Sequence, residues 1–187
     1  MISARKRIWG WFFFDWASQP FSTLMLTFIF GPYFAEVAKA HFLTTGLSAE
    51  AAGAAAQSYW GYGQTVSGLL IMVMAPILGA IADGSGRRMV WIWAFSALYI
   101  FGAFGAWFLM PDQPNLLLGM VFFGIGLIGM EFATIFTNAL MPHLGTEEEM
   151  GKISGFGFAF GYAGGILALI LMLFFFAENA QTGETLL

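Results

Sequence analysis

Residues 115–141 read NLLLGMVFFGIGLIGMEFATIFTNALM, a run with a single ionisable side chain, Glu131. Coiled as a helix at ~1.5 Å per residue, such a run reaches about 40 Å, more than the ~30 Å hydrocarbon core of a bilayer. It is continuously apolar rather than alternating, which argues against a barrel strand. Four further stretches of the same character lie at about 8–34, 58–82, 89–110 and 153–177. They leave little chain for a water-soluble domain. Only 10% of the 187 residues are charged and 59% are hydrophobic, against roughly a quarter charged in soluble domains. The expected fold class is an all-α polytopic membrane protein with five transmembrane helices, occupying 1–187 as one unit. The first apolar run is too long for a signal peptide and lacks a small-residue cleavage site, so it is read as retained. The chain has no cysteine, which removes disulfides, thiolate nucleophiles and cysteine metal sites.

Orientation follows from the cations. Arg5, Lys6 and Arg7 precede the first span, Arg87 and Arg88 fall between the second and third, and Lys152 between the fourth and fifth; Lys39 alone falls in an alternate loop. If all five segments cross, this clustering puts the N-terminus in the cytoplasm by the positive-inside rule. The location expected is the cell (inner) membrane, or a vacuolar membrane in a fungus. Trp9, Trp11, Trp91 and Trp93 are then expected near the inner interface, with Trp60 and Trp107 near the outer one.

Polar residues inside the spans are the candidate site. At 100° per residue, Asp15, Ser18, Gln19 and Ser22 share an arc of about 100° on the first helix. Glu131, Thr134 and Asn138 recur on the fourth span, and Gln64, Ser67 and Gly68 make a weaker stripe on the second. Such stripes face other helices or a wet cavity, and hydrogen-bonded helix packing remains open as their whole role. Asp15 and Glu131 are expected at similar depth in the cytoplasmic half. No Lys or Arg lies inside the five spans, so the two acids suit proton coupling or an ammonium-bearing ligand, and an anionic substrate finds no buried cation. Tyr162 could line a cavity or lie at a packing surface. Gly157, Gly161 and Gly165, four residues apart, predict a groove for a neighbouring helix. Gly124, Gly126 and Gly129 spell GxGxxG without the strand and turn a dinucleotide site needs, and are read as packing glycines. Pro20 and Pro76 can kink their helices. His41 and His143 fall on opposite sides, so no metal is expected. No cofactor or nucleic-acid partner is expected, and the acids lack the partners of nucleophilic or metal chemistry; a non-enzyme is the reading. Glu147, Glu148 and Glu149 suit a solvated loop or the first turn of the last helix.

The loop between spans two and three reads Gly79-Ala-Ile-Ala-Asp83-Gly-Ser-Gly86-Arg87-Arg88, which resembles the cytoplasmic signature of the major facilitator superfamily, with Gly84 where that family carries a base. Phe14-Asp15-Trp16-Ala17, Thr137-Asn138-Ala139-Leu140-Met141-Pro142 and Gly161-Tyr162-Ala163-Gly164-Gly165 resemble motifs of its vacuole-effluxer-like branch. The resemblance implies a secondary transporter working by alternating access, with helices one and four at the cavity; fungal relatives release amino acids from the vacuole. It also implies that Gly79, Asp83, Gly86, Arg87 and Arg88 form a cytoplasmic latch. Tyr162 stands where the antiporter motif has proline, so antiport does not follow. A complete half in this superfamily has six helices, so the expectation is an N-terminal part lacking helix six and the C-terminal half; a non-transporting subunit on a partner bundle is the alternative.

Overall fold

The computed structural model describes residues 3–112 and 114–177, and every regular element among them is helical. In chain order these are α1 (Ala4–Pro20), a π-helical segment (Phe21–Phe28), α2 (Phe30–Thr44), α3 (Ala49–Ser85), α4 (Arg88–Ala106), α5 (Leu116–Asn138), a 3-10 turn (Met141–His143) and α6 (Glu147–Phe176). Five helical stretches are long and apolar enough to cross a membrane, counting Ala4–Thr44 as one. The chain divides into two compact units: one holds α1, the π segment, the 3-10 turn and α6, the other α2 to α5.

In the first unit α6 lies along α1. Its start is fixed by a capping box: the Thr146 N–H donates to Glu149 Oε2 at 3.0 Å, and Glu147 to Glu149 occupy the first turn, where negative charge offsets the helix dipole. Trp11 is 9% exposed and packs with Leu144 and Ile153. It is a core residue of this unit, because α6 offers Gly157, where a methyl group would overlap the Trp11 ring.

Within the apolar run 8–34 the disturbance expected at Pro20 extends further than a kink. Pro20 has no N–H to donate to the Trp16 carbonyl, and from Phe21 the backbone winds in the wider π register. The Thr27 hydroxyl donates to the Ser22 carbonyl, five residues back, at 3.1 Å. The helix then breaks at Ile29, with φ −120° and ψ −68°, and α2 continues to Thr44. Lys39 therefore lies on a helix, not in a loop.

The second unit is organised around α5. Its glycines admit neighbours on two sides. Toward α4, a Cβ built on Gly102 would lie 2.5 Å from Gly126 Cα, and one on Gly129 would lie 3.0 Å from the Phe95 carbonyl oxygen. Toward α3, a Cβ on Gly124 would lie 2.9 Å from Ser67 Oγ. The GxGxxG run is thus a packing device on both flanks, where small residues allow backbone to approach backbone. α2 and α3 form a helical hairpin closed at Gly46, whose φ is +93°, and at Ser48, whose hydroxyl accepts the Ala51 N–H. Phe34, fully buried, sits 5.4 Å from Trp60 between ring centroids. Trp60 in turn lies 4.5 Å from Phe123 of α5, and the Tyr33 hydroxyl donates to the Leu109 carbonyl at 2.8 Å. Trp60 belongs to this aromatic stack, whereas Trp93 and Trp107 are 71% and 76% exposed.

Candidate functional site

The polar residues of α1 meet the glycine face of α6. A methyl on Gly161 would overlap the Asp15 carboxylate, one on Gly164 would overlap the Trp16 carbonyl oxygen, and one on Gly165 would press on the Thr23 hydroxyl and lie 3.2 Å from Gln19 Cγ. The groove predicted from Gly157, Gly161 and Gly165 is therefore filled by α1 itself. Ser18 is buried and donates to the Asp15 carbonyl at 3.3 Å. Ser22 is half-buried in the π segment, so the 100° arithmetic that put it on the Asp15 arc stops applying at Pro20. Tyr162 is half exposed, with its ring against Phe158 at 4.7 Å.

On the second unit Glu131 is half-buried in α5 and Asn138 is exposed at its end. The Thr134 hydroxyl contacts the Met130 sulfur at 3.6 Å. Neither the Asp15 nor the Glu131 carboxylate has a hydrogen bond or ion pair among the described residues. Asp15 belongs to the first unit and Glu131 to the second. On α3, Gln64 is half-buried, Gly68 is exposed, and Ser67 is buried with its hydroxyl donating to the Gly63 carbonyl at 2.9 Å.

At the other end of α3 the signature stretch, expected as a loop but helical as far as Ser85, is held by charge. Gly86 ends the helix in the left-handed conformation, φ +62°, the ordinary use of glycine at this position. Arg88 pairs with Asp83 at 2.8 Å, and its second guanidinium arm donates to the Ala139 carbonyl at 3.0 Å. That carbonyl caps the C-terminus of α5, where a cation is favourable. Arg88 thus ties the ends of α3 and α5 together within one unit. Arg87 and Gly79 take no part: the Arg87 side chain makes no hydrogen bond or ion pair among the described residues, and a Cβ on Gly79 would meet nothing within 4 Å.

The model of the family described as "Vacuole effluxer Atg22 like" matches residues 3–152. The chain belongs to that family. It is also 29% identical over 164 residues to a Bacillus subtilis protein named "Uncharacterized MFS-type transporter YxiO", covering 88% of this chain and 36% of that protein. The chain thus spans about a third of that relative's length. No solved structure matches it significantly. In this effluxer-like chain the family match covers α1 to α5 and the start of α6, so Asp15, Glu131 and the Asp83–Arg88 pair all lie inside it.

Among the described residues no three His, Cys, Asp or Glu come together as a metal site. Sequence reasoning gave no contact role to the Trp16 carbonyl, Thr23 or Gly164, although Trp16 and Gly164 lie in the quoted motifs. Thr23 stands four residues after Gln19, and the doubled glycine at 164–165 was the available signal of an unusually close approach.

Proposed function

We propose that this chain is part of a secondary active transporter of a small solute, working by alternating access, with the polar groups of α1 meeting substrate or coupling ion. The observation that carries the reading is Asp15, an unpaired carboxylate inside an apolar helix of a chain from an effluxer family. An ionised carboxylate in such surroundings is costly without a counter-charge. A proton, a cation or the ammonium group of a substrate supplies it. Because the apolar runs 8–34, 58–82, 89–110, 115–141 and 153–177 contain no Lys or Arg, an amine-bearing metabolite such as an amino acid is the substrate class favoured, and the family's "effluxer" description supports export as the direction. Asp83 and Arg88 serve as a cytoplasmic latch, and the cation distribution supports a cytoplasmic N-terminus in a multi-pass protein of the cell membrane. No chemical conversion is assigned to the chain.

The test is counterflow in proteoliposomes, using the protein as its gene encodes it and a panel of labelled amino acids and small amines. Saturable exchange of at least one member, absent from empty vesicles, supports the reading. Tight association with a second membrane protein and no exchange of any solute would replace it with a docking subunit.

A further inference from the structure

The two long helices of the first unit start at the same end and are built oppositely there. α1 and α6 run in the same direction, since Trp11, Asp15 and Thr23 meet Gly157, Gly161 and Gly165 in turn. α6 opens with Glu147, Glu148 and Glu149 and a complete capping box, so carboxylates offset the positive end of its dipole. α1 opens with Arg5, Lys6 and Arg7, all exposed, and no side chain caps it. Its first intrahelical bond runs from the Arg7 N–H to the Ser3 carbonyl at 3.3 Å, which leaves the Ala4, Arg5 and Lys6 N–H groups without an intrahelical acceptor. Cations here add to the dipole instead of offsetting it. Arg88 is held by Asp83 and the Ala139 carbonyl, whereas the Arg5, Lys6 and Arg7 side chains make no ion pair or hydrogen bond among the described residues. The acids of α6 lie farther out. Glu149 precedes Gly157 by eight residues, as Ser3 precedes Trp11, so the three glutamates stand at or beyond the level of Ser3. By the same register the exposed Lys152 lies level with Lys6. One turn inward from Arg5 comes Trp9, 43% exposed, with its ring 5.7 Å from Phe12, 5.8 Å from Phe13 and 6.0 Å from Phe160 of α6.

We propose that the start of α1 is a docking surface for an anionic phospholipid, whose phosphate lies against Arg5, Lys6 and Arg7 and whose acyl chains run down over Trp9 and Phe13. Charge complementarity carries the first half: three cations without an intramolecular partner, at a helix end that itself favours anions, meet a phosphodiester. The order of groups along the helix carries the second. Cations come first and half-exposed rings about 6 Å deeper, which is the order of headgroup and hydrocarbon in a leaflet, with the indole body apolar and its N–H toward the headgroups. A soluble phosphate or an acidic protein segment would use the cations and leave the rings idle. The proposal goes beyond the transporter reading and does not rest on it.

The test uses the protein as its gene encodes it, in a neutral detergent, with thermal unfolding followed by tryptophan fluorescence. Phosphatidylglycerol and phosphatidylcholine with the same acyl chains are titrated separately, beside glycerol 3-phosphate. Phosphatidylglycerol should raise the unfolding temperature saturably and well beyond phosphatidylcholine. The gain should shrink as salt approaches ~1 M, where the screening length falls to about 3 Å. Glycerol 3-phosphate should give no comparable shift. Arg5→Gln, Lys6→Gln and Arg7→Gln combined should raise the half-saturating phosphatidylglycerol concentration about a hundredfold, roughly fivefold per cation lost. Arg87→Gln, which removes an exposed cation of the other unit, should leave that concentration unchanged. Equal stabilisation by the two lipids overturns the proposal, as does a gain that survives the triple replacement. A shift reproduced by glycerol 3-phosphate overturns the lipid and makes the ligand a soluble anion. The comparison of lipids on the unaltered protein decides the question even where the triple variant inserts poorly.

Discussion

The contact between α4 and α5 allows a worked test of the fold through Gly102→Ala. The added methyl would lie 2.5 Å from Gly126 Cα and 2.7 Å from the Phe122 carbonyl oxygen. Carbon atoms rest about 3.5–4.0 Å apart, so the helices must part by about 1 Å. No rotamer relieves this, because both neighbours are backbone. Replacing a helical glycine by alanine gains roughly 0.5–1 kcal/mol, whereas overpacking costs about 1–3 kcal/mol. A 0.5–1 Å gap also forfeits a quarter to a half of each contact along the seam. The net expectation is a loss of about 1–2 kcal/mol. Gly68→Ala is the matched control, since a Cβ there meets nothing within 4 Å; it should be neutral or stabilising by up to about 1 kcal/mol. Unfolding in mixed micelles, followed by tryptophan fluorescence, reads both. If Gly102→Ala proves as stable as Gly68→Ala, α4 and α5 are not in backbone contact and the packing argument fails.

Three other outcomes follow from the same structure. Thr146→Ala removes the capping box of α6 and should cost about 1 kcal/mol, seen as faster amide hydrogen exchange confined to the first turn of that helix. Arg88→Ala loses the ion pair with the 61% exposed Asp83 and the hydrogen bond to the Ala139 carbonyl, so stability should fall by about 1–3 kcal/mol while solute exchange changes markedly; a loss well above roughly 3 kcal/mol would mean that the guanidinium is chiefly a brace. Gly161→Ala forces the Asp15 carboxylate off its seat and should impair exchange far more than Gly155→Ala, whose methyl meets nothing within 4 Å, with both variants inserting normally.

What the sequence made legible was what depends on local composition. Long apolar runs with the charges between them gave helices that could span a bilayer, and four-residue glycine spacing gave a groove on α6. What it hid depends on partners. Trp11 reads as an interfacial tryptophan, and nothing near it in sequence points to Gly157 opposite it. The stretch 30–60 looks like half a span, a loop and the start of another, yet Phe34 and Trp60 stack on each other, and that long-range contact carries helix out to Thr44 and back to Ala49. Pro20 was legible as a disturbance, but not the π register that follows it, because that register is chosen by backbone pairing and by the Thr27 hydroxyl rather than by hydrophobic period. Asp15 and Gln19 of the polar arc lie against α6, whereas Ser22 falls in the π segment where the 100° arithmetic stops applying. That the first two face a neighbouring helix's glycines required the coordinates, since helical periodicity gives a direction and no partner.

The most direct measurement is solute exchange by Asp15→Asn in proteoliposomes, beside Glu131→Gln, in the protein as its gene encodes it. Both substitutions keep shape and hydrogen-bonding capacity while removing the charge, so insertion and yield should be those of the wild type. The account predicts that Asp15→Asn loses most of the exchange, a drop of at least about tenfold, equivalent to ~1.4 kcal/mol of lost stabilisation, with Glu131→Gln also impaired. Exchange at the wild-type rate in both variants would contradict it and leave the two carboxylates as structural groups.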